Sequence, residues 1–115
     1  MKKDIETKED VVFMVEEFYQ KVNQSAMLSP FFQKLDWGSH LPKMAHFWCF
    51  VLFDTPGYQT NVTQIHLAMN LSEELFNEWL SLFYTTVDSL YCGENAQKVK
   101  DRAALIGWTI KAKIP

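Results

Sequence analysis

The chain is expected to fold as a single all-α domain of four substantial helices joined by short pieces. Three observations carry that expectation. Apolar residues recur at three- and four-residue spacing through long segments. Capping and breaking residues bound those segments. The one apolar run that competes as a strand, Phe47 to Phe53, fails because too many successive residues are apolar for alternation. A length of 115 residues fits one domain, 1–115. Such a domain should bury about two-thirds of its unfolded surface and needs no disulfide staples.

The first helix is read over residues 8–23. Thr7 and Asp10 form a capping-box start, and Val11, Met14, Val15, Phe18, Tyr19 and Val22 make one apolar stripe. Ser25, Ser29 and Pro30 break it, and Phe31-Phe32 opens a short irregular or one-turn helical connection. Asp36-Trp37-Gly38-Ser39 is a second break, with Ser39 as cap of a helix that carries Pro42 in its first turn. That helix runs through Met44, His46, Phe47, Trp48, Phe50 and Val51 and ends near Asp54. His46 and Phe50, four apart, share a face.

Asp54-Thr55-Pro56-Gly57 is a loop that extends to about Asn61. A short helix then holds Ile65, His66 and Met69. Asn70, with Glu73 three residues later, caps the longest helix, read over residues 71–91. Its inner face is Leu75, Phe76, Trp79, Leu82, Phe83 and Val87, and Gly93 suits its C-terminal stop. A last helix from Glu94 to about Lys111 has Ala96, Val99, Ala103, Ile106 and Ile110 in helical register.

Composition narrows the function. A net charge of −3 with mixed signs gives no basic footprint for nucleic acid. No apolar run approaches the roughly 20 residues that span a bilayer, and the N-terminus turns acidic without an export core. A cytoplasmic protein is expected. Cys49 and Cys92 form neither a disulfide framework nor a Cys-x-x-Cys-His pattern, which excludes covalent c-type haem attachment. There is no phosphate-binding glycine loop, Glu-x-x-His pair or His-Glu-x-x-His motif. Ser, His and Asp occur, but nothing sets them as a triad. His40 and His46 are six apart, which on a helix puts them well off a common face. Nine Phe, four Trp and four Tyr bring aromatics to 15%, a share that either fills a core or lines a slot for a flat ligand.

His66 stands inside a short apolar segment. An imidazole there needs partners for its nitrogens, or a metal. Taken singly, His66 and His46 read first as hydrogen-bonded structural residues and only then as ligands. Tyr19 and Trp79 read as core residues with satisfied polar tips, and Phe18, Phe32, Phe50 and Phe76 as core.

In sequence order, Tyr19, Phe32, His46, His66, Phe76 and Trp79 resemble the haem-pocket set of the truncated haemoglobins, the third of that family's three groups above all. The supporting stretches are Phe18-Tyr19, Phe31-Phe32, His46-Phe47-Trp48, His66 near Met69, and Leu75-Phe76-Asn77-Glu78-Trp79-Leu80-Ser81-Leu82-Phe83. His66 precedes Trp79 by thirteen residues, in keeping with the family's proximal histidine and distal tryptophan. The Gly-Gly turns of the other two groups are absent, since Gly38, Gly57, Gly93 and Gly107 are isolated. The likeness spans about Asp10 to Lys111.

The resemblance implies a two-over-two helical sandwich holding one non-covalent haem b. His66 would be the iron ligand, Tyr19 and Trp79 the donors to bound ligand, and His46 the distal gate. Phe32, Phe50, Ile65 and Phe76 would wall the haem, with Lys43 and Tyr58 at the propionates. The residue types suit these roles, since imidazole is a strong axial ligand and hydroxyl or indole donors hold a ligand of partial negative charge. The implied function is binding of a diatomic ligand (O2, CO or NO) by a monomer, for storage, delivery or sensing. One alternative is peroxidase or nitric-oxide dioxygenase chemistry, which needs an external reductase because the chain carries no reductase domain. The other is a haem-free helical interaction or sensor module.

Overall fold

The computed structural model of the chain describes residues 2–32, 37–54 and 73–113. They form α1 (Lys8–Gln24), α2 (Ser29–Phe32), α3 (Trp37–Phe53), α4 (Glu73–Leu90) and α5 (Glu94–Lys113). No strand occurs among the described residues, in agreement with the all-α expectation. The expected short helix with Ile65, His66 and Met69, the loop beyond Asp54 and the Asn70 cap lie outside the described residues. So do the side chains of Phe32, Ser39 and Ile110.

α1 begins as its sequence dictates. The Asp10 backbone N–H donates to Thr7 Oγ1 at 3.2 Å, and the Thr7 N–H donates back to Asp10 Oδ2 at 3.1 Å. This reciprocal pair satisfies two of the donors that a helix start leaves without partners. The whole expected stripe, from Val11 to Val22, is buried. At the far end Ser25 turns the chain: its hydroxyl accepts from the Leu28 N–H at 3.3 Å and reaches Glu78 Oε2 on α4 at 3.5 Å.

α3 starts two residues before the expected cap at Ser39, so Pro42 sits in the second turn, not the first. Pro42 cannot donate to the Gly38 carbonyl. Gly38 is exposed, so water can serve that oxygen and the helix continues through the proline. The helix stops where expected. Asp54, with φ +54°, adopts the left-handed conformation and donates its N–H to the Phe50 carbonyl at 3.1 Å.

α4 stops at Leu90, one residue before the expected end at 91, residues 71 and 72 lie outside the described residues, and its buried set is Phe76, Trp79, Phe83, Thr86 and Val87. Leu75 and Leu82, read as inner-face residues, are half-buried. Thr86 is fully buried because its hydroxyl donates to the Leu82 carbonyl at 2.8 Å. α1 packs on α3, α4 packs on α5, and α1 joins the two pairs by lying against α4. This is a two-over-two sandwich.

The N-terminal segment straps the layers together. The Asp4 carboxylate caps α5 from 91 residues away, accepting from the Asn95 N–H at 2.9 Å and the Ala96 N–H at 2.8 Å. Asn95 Nδ2 returns a bond to the Ile5 carbonyl at 2.7 Å, and Ile5 is wholly buried. Gly93, with φ +139°, makes room for the cap: a Cβ there would come 2.5 Å from Asp4 Cγ. Tyr91 Oη completes the strap by donating to the Asp10 carbonyl at 3.0 Å.

Partial burial acts to raise the Asp4 pKa, but the N–H groups of Asn95, Ala96, Ile5 and Glu94 outweigh it and hold the carboxyl below its usual value. A depressed native pKa means that the cap stabilises the fold above the unfolded value and ceases to do so on acidification through the native one. Asp4→Ala is expected to lower stability by about 1–2 kcal/mol at neutral pH. In urea titrations, the gap between wild type and variant should narrow as the pH is taken from about 5 towards about 3. A gap that is independent of pH over that range would remove Asp4 from the cap.

Candidate functional site

The buried stripe of α1 carries, one turn before its end at Val22, two adjacent rings, Phe18 and Tyr19, only 3% and 5% exposed. Phe18 meets three neighbours. Its centroid lies 5.0 Å from Tyr19, 5.8 Å from Trp79 edge-on and 5.1 Å from Phe83 edge-on. Edge-to-face contact sets the positive rim of one ring against the negative face of another. Through Phe18, α1 therefore holds both Tyr19 and Trp79 against one aromatic wall. The indole Nε1 of Trp79 is shielded from solvent.

The Tyr19 hydroxyl meets His40 of α3, with Nε2 and Oη 3.3 Å apart and the rings crossed at 77°. Neutral imidazole can accept here or donate, according to which nitrogen carries the proton. Burial pushes the Tyr19 phenol well above its ordinary value, so it stays a neutral hydroxyl with a proton to donate. A phenol, an imidazole and an indole, from three helices, thus gather around one aromatic region, with Phe18 in contact with both the Tyr19 and the Trp79 rings.

His46 lies elsewhere. It lines a groove of about 700 Å³ between α1 and α3, with Val12, Val15, Ala45 and Cys49. His40 and His46 are about 120° apart around an ideal helix. His40 continues the side that carries half-buried Met44 and buried Phe47 and Val51, at spacings of four, seven and eleven. That continuity is present in the sequence and picks out His40, to which residue type and order assign no role. Burial raises the Cys49 thiol, against the pull of the nearby Lys8 charge, so the groove presents a protonated thiol.

Of the other expected site residues, Phe76 is buried on α4, while Phe50 is 42% exposed on α3. Lys43 is exposed. Ile65, His66 and Tyr58 lie outside the described residues, as does the Phe32 side chain. Among the described residues no three His, Cys, Asp or Glu side chains group so as to hold a metal ion, and no helix is long and apolar enough to cross a membrane.

No family model matches the chain. A group 3 truncated haemoglobin of Campylobacter jejuni is 27% identical over 113 residues, which covers 92% of this chain and 89% of that protein. The crystal structure of a group III truncated haemoglobin from the same organism superposes with a TM-score of 0.89 at 26% identity, over all of this chain and 96% of that one. The chain is thus similar to group III truncated haemoglobins along its whole length, and its fold is theirs.

The burial of Tyr19 has a direct readout. In an alkaline absorbance titration, wild type and Tyr19→Phe should develop the same phenolate signal up to pH of about 11, because Tyr19 remains protonated past the ordinary value of about 10. A variant that lost one phenol's signal near pH of about 10 would show that Tyr19 is open to water.

Proposed function

We propose that the chain is a truncated haemoglobin that binds one b-type haem non-covalently and a diatomic ligand at its iron. The single observation that carries the reading is the hydroxyl of buried Tyr19, whose ring shares the neighbour Phe18 with Trp79 and which the His40 imidazole meets at 3.3 Å. A core built for stability alone gains little from such groups, since a buried hydroxyl or indole N–H costs about 1–3 kcal/mol wherever its partner is lost. The likeness to truncated haemoglobins adds the cofactor, and a set of neutral donors suits it.

In this reading His66 is the iron ligand, and Phe32, Phe50, Ile65 and Phe76 wall the porphyrin. Haem supplies the metal centre at which a small diatomic molecule binds. The chain supplies the rest. Tyr19 Oη and Trp79 Nε1 donate to a ligand that carries partial negative charge and slow its escape. The role of distal gate passes from His46 to His40, which holds Tyr19 when closed and would release it on swinging out. Two free thiols and neutral donors suit a cytoplasmic binding protein, and turnover with peroxide or nitric oxide would need an external reductant.

The test is an absorption spectrum in ferric, reduced and CO-bound forms. A Soret band that shifts with CO at one haem per chain is expected. In His66→Ala, specific coordination should be lost, and a wild-type ferrous–CO spectrum from that variant would sink the assignment. Tyr19→Phe should speed dioxygen release by about fivefold or more, the equivalent of one ordinary hydrogen bond. An unchanged release rate would take Tyr19 out of the ligand network.

A further inference from the structure

Trp48 is 3% exposed on α3 and has no part in the site as described so far. Its ring stacks on Phe83 of α4, with centroids 5.1 Å apart and planes 18° apart. Phe83 also stacks on Trp79, at 5.9 Å and 9°. Three rings therefore lie nearly parallel, with Phe83 as the shared member. Phe18 closes the arrangement from a perpendicular direction, edge-on to Trp79 at 80° and to Phe83 at 89°.

Phe83 and Trp79 are four residues apart on one helix, so their contact moves with α4 and fixes nothing relative to other helices. The two rings that come from outside do that work. Phe18 arrives on α1, the helix that carries Tyr19. Trp48 arrives on α3, the helix that carries His40. A ring hemmed by one parallel and one perpendicular neighbour in a close-packed interior cannot tilt or turn without overlap. The direction of the Trp79 N–H is fixed with its ring.

We infer that Trp48 is a positioning residue which, through Phe83, fixes the indole plane of Trp79 and so aims its N–H at the ligand. The device registers α4 to α3, and with it the Trp79 donor to the His40–Tyr19 pair. The aim at a ligand rests on the function proposed above. The control of the indole by Trp48 does not.

The experiment reads the two halves separately. Wild type and variants are labelled with ¹⁵N at the indoles, and the Trp79 N–H signal is identified by its disappearance in Trp79→Phe. Trp48→Leu is expected to move that signal and weaken its cross-relaxation with the Phe83 ring, while Trp48→Phe, which can still stack, leaves both near wild type. If Trp48→Leu does not fold, Trp48→Met gives the same comparison with an unbranched side chain that adapts better to the void. An unmoved Trp79 signal in a folded variant overturns the inference.

For the ligand half, Trp48→Leu should raise the dioxygen dissociation rate by about fivefold, as expected for one weakened hydrogen bond. In a Trp79→Phe background the same substitution should add nothing, since there is no N–H left to misdirect. Equal effects in the two backgrounds would mean that Trp48 acts on the pocket at large, and would overturn its role through Trp79. A wild type that takes up no haem would end the functional reading, with the indole signal still deciding what Trp48 controls.

Discussion

The structure buries a phenol and an indole in a wall of aromatic rings, and the surrounding packing answers to that requirement. Each polar tip is a liability of about 1–3 kcal/mol if its partner is missing. Each ring contact around it contributes about 0.5–1.5 kcal/mol beyond simple area burial. Phe18, Trp48, Trp79 and Phe83 make four such contacts among themselves, with planes either near parallel or near perpendicular. The wall is thus stabilised by the same geometry that holds the donors still. A softer core of aliphatic side chains could match the buried area, but it would leave the tips free to turn.

Rigidity at the wall needs a frame, and the N-terminal strap supplies it at the other end of the sandwich. Asp4 caps α5, Tyr91 at the end of α4 donates to the Asp10 carbonyl, and Asp10 closes the capping box of α1. One short segment therefore ties the starts of α1 and α5 to the finish of α4. Asp10 itself stays ionised: burial opposes it, but the Glu6 N–H, the Lys3 ammonium and the Thr7 N–H together hold its carboxyl below the usual value. Apart from the Lys3 contact, these are bonds to backbone groups, the kind that stabilise without demanding that long side chains be ordered.

Helices are the legible part of the sequence. The Val11–Val22 stripe and the Thr7–Asp10 box are local signals, and the structure follows them residue by residue. The all-α class is readable for the same reason, since periodicity survives whatever the tertiary context, whereas the two-over-two arrangement is what the family resemblance implies. The cap of α5 is not. Its carboxylate comes from Asp4, and nothing local to Glu94 announces a partner 91 residues away. Gly93 reads as the stop of the longest helix, yet its φ of +139° admits the Asp4 carboxylate three residues beyond the end of α4. The start of α3 escapes a local reading because Pro42 suggests a first turn, whereas an exposed Gly38 carbonyl tolerates it in the second. At the site, Tyr19, Phe76 and Trp79 can be placed on buried faces from spacing alone.

The choice between two histidines shows why residue type and order are weaker guides than phase. The family resemblance gives the distal role to His46, in the stretch His46-Phe47-Trp48. Adjacent residues on a helix point about 100° apart, so a neighbour in sequence is a poor neighbour in space. α3 divides into two sides. One carries His40, Met44, Phe47 and Val51, and there His40 meets Tyr19. The other carries Pro42, Ala45, His46 and Cys49 and lines the groove against Val12 and Val15 of α1. Only one of two imidazoles set about 120° apart can share a side with the buried phenol. In the function proposed above, the distal role on α3 therefore goes to the histidine that continues the buried stripe.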